Sequence, residues 1–458
     1  MKDFITLRLR SRDIFGHPSG LYVLFFTEMW ERFSYYGMRV LLVMYMTKYL
    51  LLDPSRAAEV LGYNGLEQIL VSLFGPMNIQ QMSSQIYGLY TGFVYLTPVL
   101  GGYLADKYFG QNKTVYLGGI LMAIGHFLMA SEKMFLLALL FLILGNGAFK
   151  PNISTQVGNL YKEGDPRRDS AFTIFYMGIN LGAFFSPFIC GTLGQTVGWH
   201  WGFGAAGVGM LLGLVIYWLG SDLIPRDTSA QIKIKKEEDK RPLRKDEWYA
   251  VGALCLLCFL NILFWAIYEQ QGNTLQLWAD DKTNWSILGF TMPSSWFQSF
   301  NPAMIFIFAP ILAGLWGLQA KKNKEPSSVM KMGIGSILCG LAYVVMILAA
   351  KANLGAEKGT VMWLMGTVFF FTIGELYLSP IGLSLVTKIA PKPIASMMMG
   401  VWFLSSAFGN YMSGLIGMFY SVMSSDGFFM LLTALGIVTG LVFFILRRPL
   451  ERVIGKDV

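Results

Sequence analysis

The chain has 458 residues, of which 54% are hydrophobic and only 14% are charged, and its formal net charge is +8. This composition excludes a water-soluble protein of several domains, because so apolar a chain of this length needs lipid around it. The excess of positive charge needs no nucleic acid to explain it, since a basic cytoplasmic face beside anionic lipid has the same composition. We therefore expect an integral membrane protein that contacts the lipid bilayer and binds no nucleic acid.

The first twenty residues, MKDFITLRLRSRDIFGHPSG, are basic. They contain no short apolar run that ends in a small-residue cleavage site, which argues against a removable signal peptide. We interpret them as a cytoplasmic segment that precedes the first transmembrane helix.

Twelve apolar runs follow, most of them about 20 residues long or longer, the length with which a helix crosses a bilayer. The runs cover about 21–50, 84–106, 114–131, 134–160, 170–194, 201–220, 247–278, 297–320, 328–351, 359–387, 394–422 and 427–447. The polar stretch 221–246 contains no run that could span, and we interpret it as a linker. The sequence thus predicts an all-α membrane protein with two six-helix bundles, 1–220 and 247–458.

Lysine and arginine are concentrated in the N-terminus, alternate loops, the linker and the C-terminus. The positive-inside rule places these segments, and therefore both termini, in the cytoplasm. Only a short polar stretch separates the ninth and tenth predicted spans, and this compactness favours a bacterial protein of the inner membrane. The cysteines Cys190, Cys255, Cys258 and Cys339 all lie in apolar stretches, so we expect core packing rather than disulfides or a metal site.

Charged residues well inside the predicted spans, away from their ends, are rare, and such residues usually mark functional sites. The acidic ones are Glu28, Glu31, Glu269 and Glu375, and the basic ones are Arg32, Arg39 and Lys150. Four carboxylates against three cations leave one carboxylate without a counter-charge. A buried carboxylate in that position binds a proton, so the count predicts a proton-binding site.

Several of these charges share one face of the first helix, within TEMWERFSYYGMR at 27–39. At about 100° per residue, Glu28, Glu31, Arg32 and Arg39 fall within one sector that faces protein or water rather than lipid. The alternative is a set of salt bridges that only ties this helix to its neighbours. Buried ion pairs contribute little net stability, which favours the functional interpretation.

The two halves correspond in part. If the first six spans are equivalent to the last six, Lys150 in GNGAFKPN matches Glu375 in TIGELYLSP, and Arg39 matches Glu269. Parallel six-helix repeats with a site near the membrane midplane are typical of transporters that rock between two states. Opposite charges on the two halves suit a small zwitterion, and a dipeptide or tripeptide fits because each residue extends at most about 3.6 Å.

Several motifs resemble those of the proton-dependent oligopeptide transporter family, a branch of the major facilitator superfamily. EMWER at 28–32 is similar to its ExxER motif, and GGYLADKYFGQNKTV at 101–115 and FYMGINLGA at 175–183 resemble its two signatures. Similarity continues through GAFKPNIST, YEQQGN, FNPAMIFIFAP and GELYLSPIG. The resemblance implies the superfamily fold with twelve transmembrane helices and proton-coupled uptake of di- and tripeptides. It implies neither an enzyme nor a cofactor or metal, and we expect a monomer to be sufficient.

The resemblance also implies roles for individual residues. Proton coupling would involve Glu28, Glu31, Arg32 and Glu269. The peptide carboxylate would be bound by Tyr36, Arg39, Tyr95 and Lys150, the peptide amino terminus by Asn180, Asn301 and Glu375, and a peptide side chain by Trp402. Arg39 would also pair with Glu269 in an outer gate. Asp106 would cap or pair with a neighbouring helix end when an inner gate closes, although an ordinary polar turn is the alternative.

Two features depart from the family pattern. Many bacterial members carry two extra helices between the halves, and the linker 221–246 is too short and polar for them. The essential histidine of mammalian members near the second helix has no counterpart, since the three histidines are His17, His126 and His200. We therefore expect proton transfer to run through carboxylates.

Other functions remain open at this stage. A related proton symporter for nitrate or an amino-acid derivative is the first alternative, although an anion carrier has no need of Glu375. An exporter of drugs or sugars from the wider superfamily is the second. A channel or a nutrient receptor without transport is the third, but no selectivity filter or signalling domain is recognisable.

Overall fold

The computed structural model describes residues 13–162, 164–225, 242–287, 289–353, 358–391 and 394–454. Within these ranges lie twelve helices of at least 18 residues, and each predicted apolar run overlaps one of them. They are α1 Ser19–Tyr45, α2 Ile79–Leu104, α3 Gln111–Leu128, α4 Phe135–Asn159, α5 Arg167–Ser186, α6 Trp199–Gly220, α7 Lys245–Tyr268, α8 Phe300–Lys321, α9 Ser328–Ala352, α10 Met362–Ile389, α11 Ala395–Gly417 and α12 Ser425–Ile454. The all-α prediction is confirmed.

Eight segments of the described chain are long and apolar enough to cross a membrane by length and composition. They are Glu132–Asn159, Arg167–Thr196, Trp199–Leu223, Lys245–Lys282, Ser294–Lys321, Ser328–Ala352, Met362–Val386 and Ser425–Val453. Helix α1 is not among them, and it carries the charges Glu28, Glu31, Arg32 and Arg39. The eight segments establish a multi-spanning helical chain, and a count of twelve spans stays a prediction.

The chain divides into two compact units. The first comprises Met1–Pro76 and Phe93–Lys236, and the second comprises Met77–Gly92 and Glu237–Val458. The first half of α2 therefore belongs to the second unit, which the sequence did not indicate. Most of the predicted linker, 226–241, lies outside the described residues.

In the first unit, α1 packs against α5 and α6, and α3 packs against α4. Glycines bring these backbones close together: a Cβ atom on Gly182 of α5 would lie 2.2 Å from the carbonyl oxygen of Met29 on α1. Small residues at helix contacts permit such close packing in lipid. Gly182 thereby fixes α5 directly beside the charged segment of α1.

In the second unit, α9 packs against α10 and α12, and α7 packs against α11 and α12.

The first half of α2 lies on α11, where a Cβ atom on Gly88 would be 2.8 Å from the Cα atom of Gly414. Ser84 donates a hydrogen bond to the amide oxygen of Asn273 at 2.9 Å, and Gln80 donates one to the carbonyl oxygen of Gly417 at 3.0 Å. This part of α2 is thus bound through both close backbone contact and side-chain hydrogen bonds.

The predicted run 247–278 is not one continuous helix. Helix α7 ends at Tyr268, a 3-10 turn covers Glu269–Gly272, and a new helix covers Thr274–Lys282. Asn273 between them has φ −110° and ψ −102°, outside the helical region. The carbonyl oxygen of Gln271 in the break accepts a hydrogen bond from the side chain of Gln298 at 2.7 Å, and Gln270 links the break to α11 by donating to the carbonyl oxygen of Ser413 at 2.8 Å. Glu269 therefore lies at a helix break rather than within a regular helix.

The other elements are short. Helices cover Pro54–Glu59, Tyr63–Phe74 and Thr192–Thr196, π-helical turns cover Met46–Leu50, Ala105–Phe109 and Pro187–Gly191, and 3-10 turns cover Glu132–Met134, Ser221–Leu223, Ser294–Ser299 and Met418–Ser421. The strands are β1 Asp13–Ile14, β2 His17–Pro18, β3 Thr283–Asn284, β4 Ser286–Ile287, β5 Phe290–Thr291 and β6 Gly359–Thr360. β1 pairs with β2 and β4 with β5 in antiparallel register, whereas β3 pairs with β6 in parallel register.

The prediction for the cysteines is right for three of them and wrong for the fourth. Cys190, Cys258 and Cys339 are buried, and Cys255 is exposed on α7. A thiol behaves as a small hydrophobic group, so an apolar surface that faces lipid accommodates it as well as a core does.

Candidate functional site

Arg32 of α1 is buried among carboxylates of its own helix. Its guanidinium forms a bidentate ion pair with Glu31, with Nη2 donating to Oε1 at 2.6 Å and Nε donating to Oε2. The carboxylate of Glu28, one turn earlier, lies 3.3 Å from Nε. Bidentate arginine–carboxylate pairs are the stronger and better-oriented kind, so Glu31 is the primary partner of Arg32.

Glu28 is the less satisfied of the two carboxylates. Its side chain is 1% exposed, and its Oε2 atom has no hydrogen-bond partner in the part of the chain that the structure describes. A buried oxygen without a donor is costly for a charged carboxylate and much less so for a protonated one. The arrangement can therefore hold a proton on Glu28 while Arg32 stays paired with Glu31.

Asn146 of α4 completes the cluster, and sequence reasoning missed it. Its amide Nδ2 donates to Oε1 of Glu31 at 3.3 Å, and the residue is 1% exposed. Asn146 precedes Lys150 by four residues, so both lie on one face of α4. That spacing from an intramembrane lysine is the signal that could have identified it.

The two other cations of the first unit lie beside tyrosine rings. Nζ of Lys150 is 4.9 Å from the ring centroid of Tyr95, and the guanidinium carbon of Arg39 is 5.9 Å from that of Tyr36. All four side chains are partly exposed. Such cation–π contacts stabilise a charge without neutralising it.

Glu375 of α10 is the acidic counterpart in the second unit. Its Oε2 atom accepts hydrogen bonds from the hydroxyl of Tyr268 at 2.5 Å and from Nδ2 of Asn301 at 3.1 Å. Asn301 also donates to the hydroxyl of Thr372 at 3.1 Å. Among the described residues Glu375 forms no ion pair, so neutral donors alone hold it in place.

Tyr268 is the second residue that the sequence did not single out. It immediately precedes Glu269 in YEQQGN, at the C-terminal end of α7. Its ring stacks on Phe264 with centroids 5.8 Å apart and meets Phe371 edge-on at 5.7 Å. These aromatic contacts fix the phenol, and its hydroxyl in turn orients the carboxylate of Glu375.

The remaining predicted residues have different surroundings. Asn180 lies in the first unit and donates to the carbonyl oxygen of Tyr176 at 3.0 Å. Trp402 is 5% exposed and packs against Gly382 of α10, and Glu269 is buried at the helix break after α7. Asp106 is exposed in the π-helical turn after α2 and forms no ion pair within the described ranges.

The family model described as the POT family matches residues 112–240 and 228–431, which is more than half of the chain. The chain belongs to the POT family. The resemblance drawn from the motifs is thereby confirmed. POT proteins are multi-pass membrane transporters rather than enzymes, and the eight apolar segments agree with that class.

Individual POT proteins resemble the chain over nearly its whole length. The peptide transporter YePEPT of Yersinia enterocolitica is 34% identical over 89% of this chain and 88% of its own. A di-/tripeptide transporter of Lactococcus lactis subsp. cremoris is 31% identical over 98% of this chain and 99% of its own. A crystal structure of a mutant peptide transporter POT in complex with alafosfalin has a TM-score of 0.83 at 32% identity, covering 99% of both chains.

Proposed function

We propose that the chain is a proton-coupled symporter that imports di- and tripeptides by alternating access. Peptide transport is supported by POT relatives that carry the names peptide transporter and di-/tripeptide transporter. The observation that carries the proposal is Glu375, a partly buried carboxylate held only by the neutral donors Tyr268 and Asn301 within the described chain. A substrate ammonium group would supply the missing counter-charge.

The peptide binds by its two ends. Arg39 and Lys150, with Tyr36 and Tyr95, attract the carboxylate, and Glu375, with Asn301 and Asn180, accepts the ammonium group. Trp402 lines the space for a side chain. Charge-assisted hydrogen bonds at both ends select a zwitterion over a simple anion, because an anion leaves Glu375 without a counter-charge.

The proton is carried by the α1 cluster. Glu28 takes up the proton from the outer side while Arg32 is paired with Glu31, and it loses the proton when that pairing changes. Glu269, at the helix break after α7, pairs with Arg39 in the outer gate and so makes gate opening depend on charge. Asp106 pairs with a neighbouring helix end in the state in which the inner gate is closed.

The proposed setting is the bacterial inner membrane, crossed twelve times, with both termini in the cytoplasm and a monomer as the working unit. Lysine and arginine dominate the loops assigned to the cytoplasm, which supports this orientation. No extra helices separate the two bundles in this proposal.

A competition experiment separates peptides from the nearest alternative. Purified protein would be incubated with a labelled dipeptide, and unlabelled dipeptides, single amino acids and nitrate would be added as competitors. We expect displacement by dipeptides at concentrations at least about tenfold below those of any other competitor, since only a peptide satisfies both charged ends. Displacement by nitrate at the same concentration as by dipeptides would contradict the peptide assignment and favour an anion symporter.

A further inference from the structure

Exposed cations gather where the turn between α8 and α9 meets the end of α12. We call this set the basic platform, and it consists of Lys321, Lys322, Lys324, Arg448 and Arg452. The turn and the helix end are joined, because the hydroxyl of Ser327 donates a hydrogen bond to Oε1 of Glu451. The platform is therefore one surface with contributions from two distant parts of the sequence.

The acids near the platform are already occupied. Glu325 pairs with the buried Lys331, whose Nζ lies 2.5 Å from Oε1, and Glu451 pairs with Arg447 at 2.6 Å. None of the five platform cations forms an ion pair with a described residue. The platform consequently has about five unneutralised positive charges, and these attract anions of the surrounding leaflet.

The turn that carries the three lysines is rigidly built. Asn323 has a φ of +52°, and the amide of Lys324 donates to the carbonyl oxygen of Gln319 at 2.9 Å while that of Asn323 donates to Ala320 at 2.9 Å. These two bonds are the Schellman ending of a helix. The side chain of Ser327 then caps α9 by accepting from the amide of Met330 at 3.4 Å. The backbone that carries the three lysines therefore has a defined conformation at the end of α8.

Apolar side chains continue the platform along the same two helices. On α8, Ile311, Leu315 and Leu318 are 56%, 41% and 60% exposed. On α12, Leu441 and Ile445 are 48% and 74% exposed. Apolar side chains on each helix that lead to a cluster of cations are complementary to an anionic phospholipid, whose acyl chains adjoin its negatively charged headgroup.

We propose that the basic platform binds the headgroup of an anionic phospholipid, with the acyl chains along α8 and α12. The continuity of the cations with exposed apolar side chains is what favours a lipid over a soluble phosphate. This site is separate from the transport site and does not depend on which solute is carried.

The test uses purified full-length protein in detergent, titrated with phosphatidylglycerol, with phosphatidylcholine or with inorganic phosphate, and follows the thermal unfolding midpoint. We expect saturable stabilisation by phosphatidylglycerol alone. The variant K321Q/K322Q/K324Q should lose affinity by at least about tenfold, since each basic residue near an anionic headgroup contributes about fivefold. K321R/K322R/K324R should keep the affinity, because it keeps the charge.

A matched control removes three other exposed lysines of the same unit, which lie at the C-terminal ends of Thr274–Lys282 and α9 and directly before β6, K282Q/K351Q/K358Q. This control should bind phosphatidylglycerol as the unmodified chain does, and R448Q/R452Q should weaken binding from the α12 side even if the triple glutamine variant folds poorly. Unchanged affinity in both platform variants, an equal loss in the control, or equal stabilisation by inorganic phosphate would overturn the proposal.

Discussion

Two glutamates three residues apart on α1 have different surroundings, although the sequence makes them look equivalent. Glu31 receives two hydrogen bonds from Arg32 and one from Asn146, whereas Glu28 has a single 3.3 Å contact to Arg32 and an oxygen without a donor. The better-paired carboxylate is the one that stays charged. We therefore propose that Glu31 forms a structural ion pair with Arg32 and that Glu28 accepts the proton.

Substitution of Glu28 tests this assignment. Glu28→Gln mimics the protonated state, so we expect proton-driven peptide accumulation to fall at least about tenfold while peptide exchange in the absence of a gradient changes by less than about threefold. Uptake into proteoliposomes measures both. Glu31→Gln is the comparison, and it should also lower thermal stability, because it leaves Arg32 without its bidentate partner. Full gradient-driven accumulation by Glu28→Gln would rule the assignment out.

The two ends of the peptide can be tested separately with modified ligands. In the unmodified chain, acetylation of the amino end or amidation of the carboxyl end of a dipeptide should each weaken binding by about 1.5–3 kcal/mol, the size of a hydrogen bond to a charged group. Glu375→Gln should bind the acetylated and free peptides alike, and Lys150→Gln should lose much of its discrimination against the amidated one. Each variant is the control for the other. If both variants lost the same amount of affinity for the acetylated and the amidated dipeptide, the two-ended arrangement would be contradicted.

At the scale of elements, glycine determines how closely α5 approaches the charged stretch of α1. A Cβ atom on Gly182 would lie 2.2 Å from the carbonyl oxygen of Met29 and 3.1 Å from Cβ of Arg32. The helices must separate if any side chain is added. Within the motif FYMGINLGA, Gly182 thus positions α5 beside the ion-pair cluster of α1 through packing.

Replacement of this glycine should therefore destabilise the protein. We expect Gly182→Ala to lower the free energy of unfolding by about 1–3 kcal/mol, the usual cost of overpacking. Gly204→Ala on α6 is the matched control, because a Cβ atom there meets nothing within 4 Å. Its higher helix propensity should leave stability unchanged or raise it by up to about 1 kcal/mol. Thermal unfolding in detergent distinguishes the two, and a stable Gly182→Ala protein would show that α5 can move away freely.

The sequence predicted the long helices well and their local interruptions poorly. An apolar run of span length is a strong signal, so every predicted run contains a helix. The break after Tyr268 depends on hydrogen bonds from Gln270 and Asn273 to the carbonyl oxygen of Ser413, which lies 140 or more residues away. Hydropathy does not report such distant partners. The helices Pro54–Glu59 and Tyr63–Phe74 were not predicted because, at 6 and 12 residues, they are shorter than a membrane span.

At the scale of the whole molecule, the list of charged site residues was predictable, but their partners were not. Glu28, Arg32 and Glu375 could be identified directly, because charged residues are rare inside apolar runs. The neutral residues that hold them, Asn146 and Tyr268, have no such signature, because an asparagine or a tyrosine within a helix is common. The sequence also did not predict that Met77–Gly92 belongs to the second unit, because this assignment rests on glycine contacts between two different helices.

Proton-driven accumulation of a dipeptide in proteoliposomes tests the central claim most directly. One proton that moves inward across about 100 mV releases about 2.3 kcal/mol, and one pH unit adds about 1.4 kcal/mol. One proton per neutral peptide therefore supports a concentration ratio of a few hundred-fold. We predict accumulation far above the external concentration with concurrent acidification of the lumen, both abolished by a protonophore. Equilibration of the peptide to the external concentration regardless of the gradient would contradict proton-coupled symport.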